Sequence, residues 1–118
     1  MNLLAEVPGE KYTEEINQIK LSCNLNLAMC YLQLKKYSLA AENCNRALRI
    51  DENNVKALFR RGKSKYAQKL YEEAKKDFEL AIEKDPGNTA AKKQRNLCDK
   101  QIKYQKEKEK KMYARMFS

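Results

Sequence analysis

Apolar and small residues along this chain return at three- and four-residue steps, the period of an amphipathic helix. Ile16, Ile19, Cys23 and Leu27 recur along one face of a predicted first helix, and Leu21, Leu25, Ala28 and Leu32 along another. Thr13 can cap that helix, with Glu14 and Glu15 meeting the positive end of its dipole, and nothing breaks it before about Leu34. Tyr37 to Ile50 reads as its partner, with Leu39, Ala40, Cys44, Ala47 and Leu48 as the packed stripe, and Asp51-Glu52-Asn53-Asn54 stops it. Asn54 or its neighbour caps a helix that opens with Val55, carries Leu58, Phe59, Gly62 and Tyr66, and runs to about Lys69. Its partner, Tyr71 to Lys84, buries Ala74, Phe78, Ala81 and Ile82 and then meets Asp85-Pro86-Gly87-Asn88. The last helix begins near Thr89 and has no break before Phe117. Ala91, Arg95, Cys98 and Ile102 lie against the preceding hairpin, and beyond Lys103 the almost wholly polar run projects into solvent.

The stretch from Leu21 to Asn54 lies over Val55 to Asn88 with a shift of thirty-four residues and no gap. Ala40 falls on Ala74, Ala47 on Ala81, Tyr37 on Tyr71, Leu48 on Ile82, Asp51 on Asp85 and Asn54 on Asn88. A tandem unit of this length is a helical hairpin that stacks on its neighbours and does not bury a core alone. The expected fold is all-α: antiparallel hairpins stacked as a superhelix and closed by a long C-terminal capping helix. Residues 1–12 read as the remnant of an earlier unit and a connection, with Asn2 to Ala5 as a last helical turn ended by Pro8-Gly9. Residues 13–54 and 55–88 are the two units, and residues 89–118 the cap and its basic extension. Since about three repeats are usual in a stable solenoid, a fragment of something larger is expected. Gly62, mid-helix, costs about 1 kcal/mol relative to alanine. It aligns with Ala28, and both are expected to face Ala40 or Ala74 so that the helix axes approach closely.

Of the net charge of +9, residues 91 to 118 supply +7, with ten Lys or Arg against three acids. The rest of the chain is nearly neutral, so the charge marks a basic C-terminal segment and not a basic module. Cys23, Cys30, Cys44 and Cys98 form no Cys-x-x-Cys pair, and without histidine there is no common zinc set. They are expected to be buried free thiols in a reducing compartment, with no metal and no cofactor. No apolar run approaches the eighteen or so residues that cross a bilayer. A cytoplasmic protein is expected, with the nucleus as a second compartment.

In a stack of hairpins the first helices line the concave face. Lys56, Arg60 and Lys63 stand at i, i+4 and i+7 on one of them, with Phe59 beside them, and three like charges on one face repel unless an anion visits. Asn26 holds the same repeat position as Arg60, one helix away. The set suits a carboxylate: Arg60 donates two parallel hydrogen bonds, Lys56 a mobile point charge and Asn26 an amide. Met29 and Phe59 then offer apolar contact to the next residue of a bound peptide. Lysine and arginine are common on any exposed helix, and spacing alone leaves an ordinary solvated face open. Arg61 and Lys65, on another side, are expected to be that ordinary case.

The runs Leu25-Asn26-Leu27-Ala28-Met29-Cys30 and Lys56-Ala57-Leu58-Phe59-Arg60-Arg61-Gly62, with the tail Lys110-Lys111-Met112-Tyr113-Ala114-Arg115-Met116-Phe117, carry a family resemblance. Over about residues 18 to 117 the chain resembles the tetratricopeptide-repeat (TPR) domain of the large FK506-binding immunophilins, co-chaperones of the peptidyl-prolyl isomerase class. The resemblance implies a carboxylate clamp for the acidic C-terminus of the ninety-kilodalton heat-shock chaperone, Met-Glu-Glu-Val-Asp. It places Asn26 as the clamp asparagine of the second repeat and Lys56 and Arg60 as the clamp lysine and arginine of the third. The remaining clamp lysine and asparagine belong to a first-repeat helix that this chain does not contain, so the clamp is expected to be incomplete. The apolar side of Ile16, Ile19, Cys23 and Leu27 is then open to a homodimer or a helix swap. Two milder departures are Lys65, where an aromatic is frequent, and the polar run Asn43 to Asn45 around Cys44.

Other readings compete. Lys108, Lys110, Lys111 and Arg115 with Met112, Met116 and Phe117 suit calmodulin or another acidic partner, and the resemblance implies calmodulin binding through this region. Nucleic acid is the weaker reading, because Tyr104 is the only aromatic in the basic run before Tyr113. With no histidine, no nucleophile paired with a base and no glycine-rich phosphate loop, no reaction centre can be assembled from this segment. Isomerase activity is expected in domains outside it.

Overall fold

The computed structural model describes residues 9–117, with side chains from Tyr12 onward. Five helices follow one another: α1 (Gly9–Gln33), α2 (Tyr37–Ile50), α3 (Val55–Ala67), α4 (Tyr71–Lys84) and α5 (Thr89–Met116). Helix α1 packs on α2, α2 on α3, α3 on α4 and α4 on α5, while α1 also touches α3. The result is two antiparallel hairpins closed by a long helix. The expected turn at residues 2–5 lies outside the described residues.

The starts of α3 and α5 have the same chemical cause. Asn54 Oδ1 accepts from Ala57 N–H at 2.9 Å, and Asn88 Oδ1, one repeat later, accepts from Ala91 N–H at 3.0 Å. Asp51 braces the first cap, accepting from Asn54 Nδ2 and from the Asn53 backbone at 3.2 Å each. Thr13 is no cap. Helix α1 is already running at Gly9, since Glu10, Lys11 and Tyr12 oppose no helix.

Small side chains carry the hairpin contacts. Ala28, Ala40, Cys44 and Ala47 are fully buried in the first hairpin; Ala57, Ala74, Phe78 and Ala81 in the second; Ala91 and Cys98 in α5. Ala91 packs with Leu58 and Ala81, and Cys98 with Ala74 and Phe78, which docks the cap on both helices of the second hairpin. Gly62 faces Phe78: a Cβ there would lie 2.8 Å from the ring. The ring, wider than a methyl, takes the space that the missing side chain leaves.

Two expectations about burial are corrected. Leu39 is 40% exposed, because it lies a helical step of about 100° from the Ala40–Cys44–Ala47 line. Cys23 and Cys30 are exposed, on the open side of α1, while Cys44 and Cys98 are buried. Beyond Lys103 the side chains of α5 are exposed, as expected, apart from half-buried Gln105, which with Ile102, Lys106 and Glu109 lines a hollow beside Lys69, Tyr71 and Glu72.

Candidate functional site

Helices α1 and α3 meet side by side, and one hydrogen bond fixes how. Arg60 on α3 donates from Nη1 to the carbonyl oxygen of Leu25 on α1 at 2.8 Å. That carbonyl belongs to the residue before Asn26, so the half-buried guanidinium is fastened against the turn that carries Asn26. The Nε and Nη2 of Arg60 have no protein partner among the described residues, and this is the edge that grips a carboxylate with two parallel bonds.

One turn earlier on α3 stands exposed Lys56. It lines a hollow of about 320 Å³ with Val55, Phe59, Asn88 and Ala90. Its walls are largely apolar and none is acidic. Phe59 is held as the floor by an edge-to-face contact with buried Phe78, centroids 5.5 Å apart. Lys63 lies 5.8 Å above the Phe59 ring, in cation–π range.

The sequence-derived residues therefore occupy two adjoining strips. Arg60 borders the α1–α3 seam beside the turn that carries Asn26; Lys56 and Phe59 border the α3–α5 hollow, from whose walls Asn26, Met29 and Arg60 are absent. Helical spacing joins the strips, because Lys56 and Arg60 are neighbours at i and i+4. Val55, Asn88 and Ala90 were not legible as walls, since they enter only when α5 docks.

Arg61 and Lys65 are not an ordinary solvated face. Arg61 donates from Nε to Asp77 Oδ2 at 3.0 Å and from Nη2 to Oδ1 at 2.7 Å, and from Nη1 to Asn45 Oδ1 at 3.0 Å. Lys65 stands 3.6 Å from Asp77 and 3.7 Å from Glu73. The Asp77 side chain is 3% exposed, so a buried carboxylate ties α3 to α4 and neutralises these cations. The signal was present: Asp77 interrupts the apolar stripe Ala74–Phe78–Ala81. The polar run around Cys44 divides likewise, Asn45 joining Arg61 while buried Asn43 donates to Leu39 O at 3.0 Å and leaves its own Oδ1 without a partner. Burial pushes the Cys44 thiol up to about 11, against the lowering fields of Arg61 and Arg60.

Among the described residues no group of His, Cys, Asp or Glu could hold a metal ion, and no helix is long and apolar enough to cross a membrane. The tail of α5 is exposed, with Phe117 at 79% and stacked on Tyr113 at 5.7 Å.

Tetratricopeptide-repeat patterns match residues 23–54 and 55–88. The chain is 47% identical over 109 residues to bovine peptidyl-prolyl cis-trans isomerase FKBP4, covering 92% of this chain and 24% of that protein. It thus spans about a quarter of the length of such relatives. Among solved structures, the C-terminal TPR-containing domain of a Plasmodium falciparum FK506-binding protein superposes with a TM-score of 0.79 at 32% identity, over 89% of this chain and 70% of the other. The first TPR of Spaghetti (RPAP3), bound to the HSP90 peptide SRMEEVD, superposes with a TM-score of 0.68 at 33% identity, over 70% of this chain and 65% of that one.

Proposed function

Because this chain belongs to the tetratricopeptide-repeat family, we propose that it is a non-catalytic module that binds the acidic C-terminal peptide of the ninety-kilodalton heat-shock chaperone along its concave groove. The observation that carries this reading is the Arg60 hydrogen bond to the Leu25 carbonyl. It holds a cation beside Asn26 with its two-donor edge unused, so little side-chain entropy remains to be lost when a carboxylate arrives. Arg60 and Asn26 take the terminal carboxylates, Lys56 adds a mobile charge, and the hollow beside Phe59 takes an apolar side chain of the same peptide. Met29 and Lys63 flank the path. The peptide complex formed by the RPAP3 domain, similar in fold and sequence, supports the choice of ligand.

Asn26, Lys56 and Arg60 supply three donors of the five that the resemblance implies. Each further charged bond to the peptide is worth about 1.5 kcal/mol or more, so two more donors would tighten binding by roughly a hundredfold or more. Any prolyl-isomerase activity of a longer parent protein resides in other domains, and a cytoplasmic location fits the partner.

Calorimetric titration of the pentapeptide Met-Glu-Glu-Val-Asp tests the reading. Arg60→Ala and Lys56→Ala are each expected to weaken binding by roughly tenfold, and amidation of the peptide C-terminus to weaken it comparably. Binding that ignores both the double substitution and the amidation would end the proposal.

The exposed Met112, Met116 and Phe117 on a basic helix favour a second reading, a calmodulin-binding tail. A chain ending at Gln105 is expected to lose calmodulin and keep the peptide.

A further inference from the structure

Helix α5 repeats the first helix of a unit once more. Its cap, Asn88 accepting from Ala91 N–H, stands thirty-four residues after the cap of α3, Asn54 accepting from Ala57 N–H. The register holds beyond the cap, since Ala57 and Ser64 on α3 and their counterparts Ala91 and Cys98 on α5 are all fully buried. Lys56 and Ala90, which also correspond, line one hollow from the two helices. Helices that share a cap, a buried line and a groove edge are turned alike about their axes, so each residue on α5 points where its counterpart on α3 points. Counting by thirty-four residues, Asn26 on α1, Arg60 on α3 and Gln94 on α5 hold one position. Gln94 is half-buried, and its side-chain amide has no partner among the described residues.

Resting on the groove reading above, we propose that Gln94 is a further peptide-binding residue, its side-chain amide pairing with the main chain of the acidic peptide upstream of the terminal aspartate. A primary amide presents both an acceptor oxygen and donor hydrogens. One residue of an extended chain offers its own N–H and C=O along the same edge, as it does to a neighbouring strand, so a single Gln can take both. The distance fits. Helices in side-chain contact, as α3 and α5 are through Leu58 and Ala91, run about 10 Å apart, and about three residues of extended chain cover that span. With the terminal carboxylate on Arg60, Gln94 meets the main chain about three residues upstream. Being neutral, Gln94 holds the path of the chain and leaves the reading of its acids to the cations on α3.

Calorimetric titration of Met-Glu-Glu-Val-Asp against Gln94→Met tests this, because the substitution keeps the length of the side chain and removes its amide. Binding is expected to weaken by roughly fivefold, as the loss of neutral hydrogen bonds would give, with the melting temperature by circular dichroism held within a few degrees. The same peptide N-methylated at one amide at a time identifies the partner. At the amide that Gln94 meets, N-methylation is expected to weaken binding to the native chain several-fold and to Gln94→Met hardly at all, since that bond is already gone. Full-strength binding by Gln94→Met, where Arg60→Ala weakens it, overturns the proposal and leaves the groove reading standing. Equal losses in both chains for every N-methylated peptide overturn it as well, whereas binding indifferent to Arg60→Ala and Gln94→Met alike removes both readings.

Discussion

Asp77 and the two buried thiols show what single positions decide. Asp77 takes both acceptor oxygens to Arg61 and lies within reach of Lys65, so two of the cations on α3 are spent on the fold and Lys56, Arg60 and Lys63 are left facing the groove. Asp77→Asn is expected to cost about 3 kcal/mol in urea denaturation, because Arg61 keeps its charge in a largely buried place without its counter-ion. Cys44 and Cys98 respond to pH. Burial raises each thiol from 9.0 to about 11, so the folded chain stays protonated while the unfolded chain ionises. Their contribution to stability is therefore intact below about pH 9 and falls as the pH climbs toward 11. Urea midpoints should hold and then decline across that window, and the decline should shrink in a Cys44→Ala, Cys98→Ala double variant.

The first helix of each hairpin ends by the same device. Lys35 and Lys69, thirty-four residues apart, both adopt positive φ, 59° and 65°. Around them Lys36 N–H reaches Tyr31 O at 2.8 Å and Leu70 N–H reaches Lys65 O at 2.9 Å, the paired bonds of a left-handed helix stop. Glycine would relieve the Cβ strain at either site at some cost in unfolded-chain entropy. Lys69→Gly should raise stability by about 0.5 to 1 kcal/mol, read as a higher melting temperature. Gly62 carries the opposite sign. Alanine there regains about 1 kcal/mol of helix propensity, but its methyl meets the fully buried Phe78 ring at 2.8 Å, an overpacking that typically costs more. Gly62→Ala should be destabilising by about 1 kcal/mol, and Phe78→Leu in the same chain should remove most of that penalty.

The whole molecule is a short stack with a rod attached. Its radius of gyration is 18.9 Å and its long dimension 74 Å, where a compact chain of this length would have a radius of about 13.5 Å. The rod is the end of α5, whose side chains from Lys106 onward are all exposed and whose apolar residues cluster at its tip. Removing everything after Gln105 should leave the melting temperature within a few degrees and the affinity for the acidic peptide unchanged, by circular dichroism and calorimetry together.

Helix number, order and most boundaries were legible in the residues, because periodicity, Asn caps and the Asp-x-x-Asn stops act within one turn of chain. The thirty-four-residue shift likewise fixed the hairpin stack, since small residues at matching places permit only close antiparallel packing. The start of α1 was missed because nothing in Glu10-Lys11-Tyr12 marks an end, and Cys23 and Cys30 were misjudged because an apolar stripe does not state whether another helix lies over it. Spacing on α3 placed Lys56, Arg60 and Lys63 on one face, but their fates depend on partners far along the chain. Arg60 reaches Leu25 across thirty-five residues and Arg61 reaches Asp77 across sixteen. Those pairings, and the hollow that α5 completes beside Lys56, exist only once helices dock. Local hydrogen bonding chose the elements, and packing between them chose which charges were buried and which were left to meet a ligand.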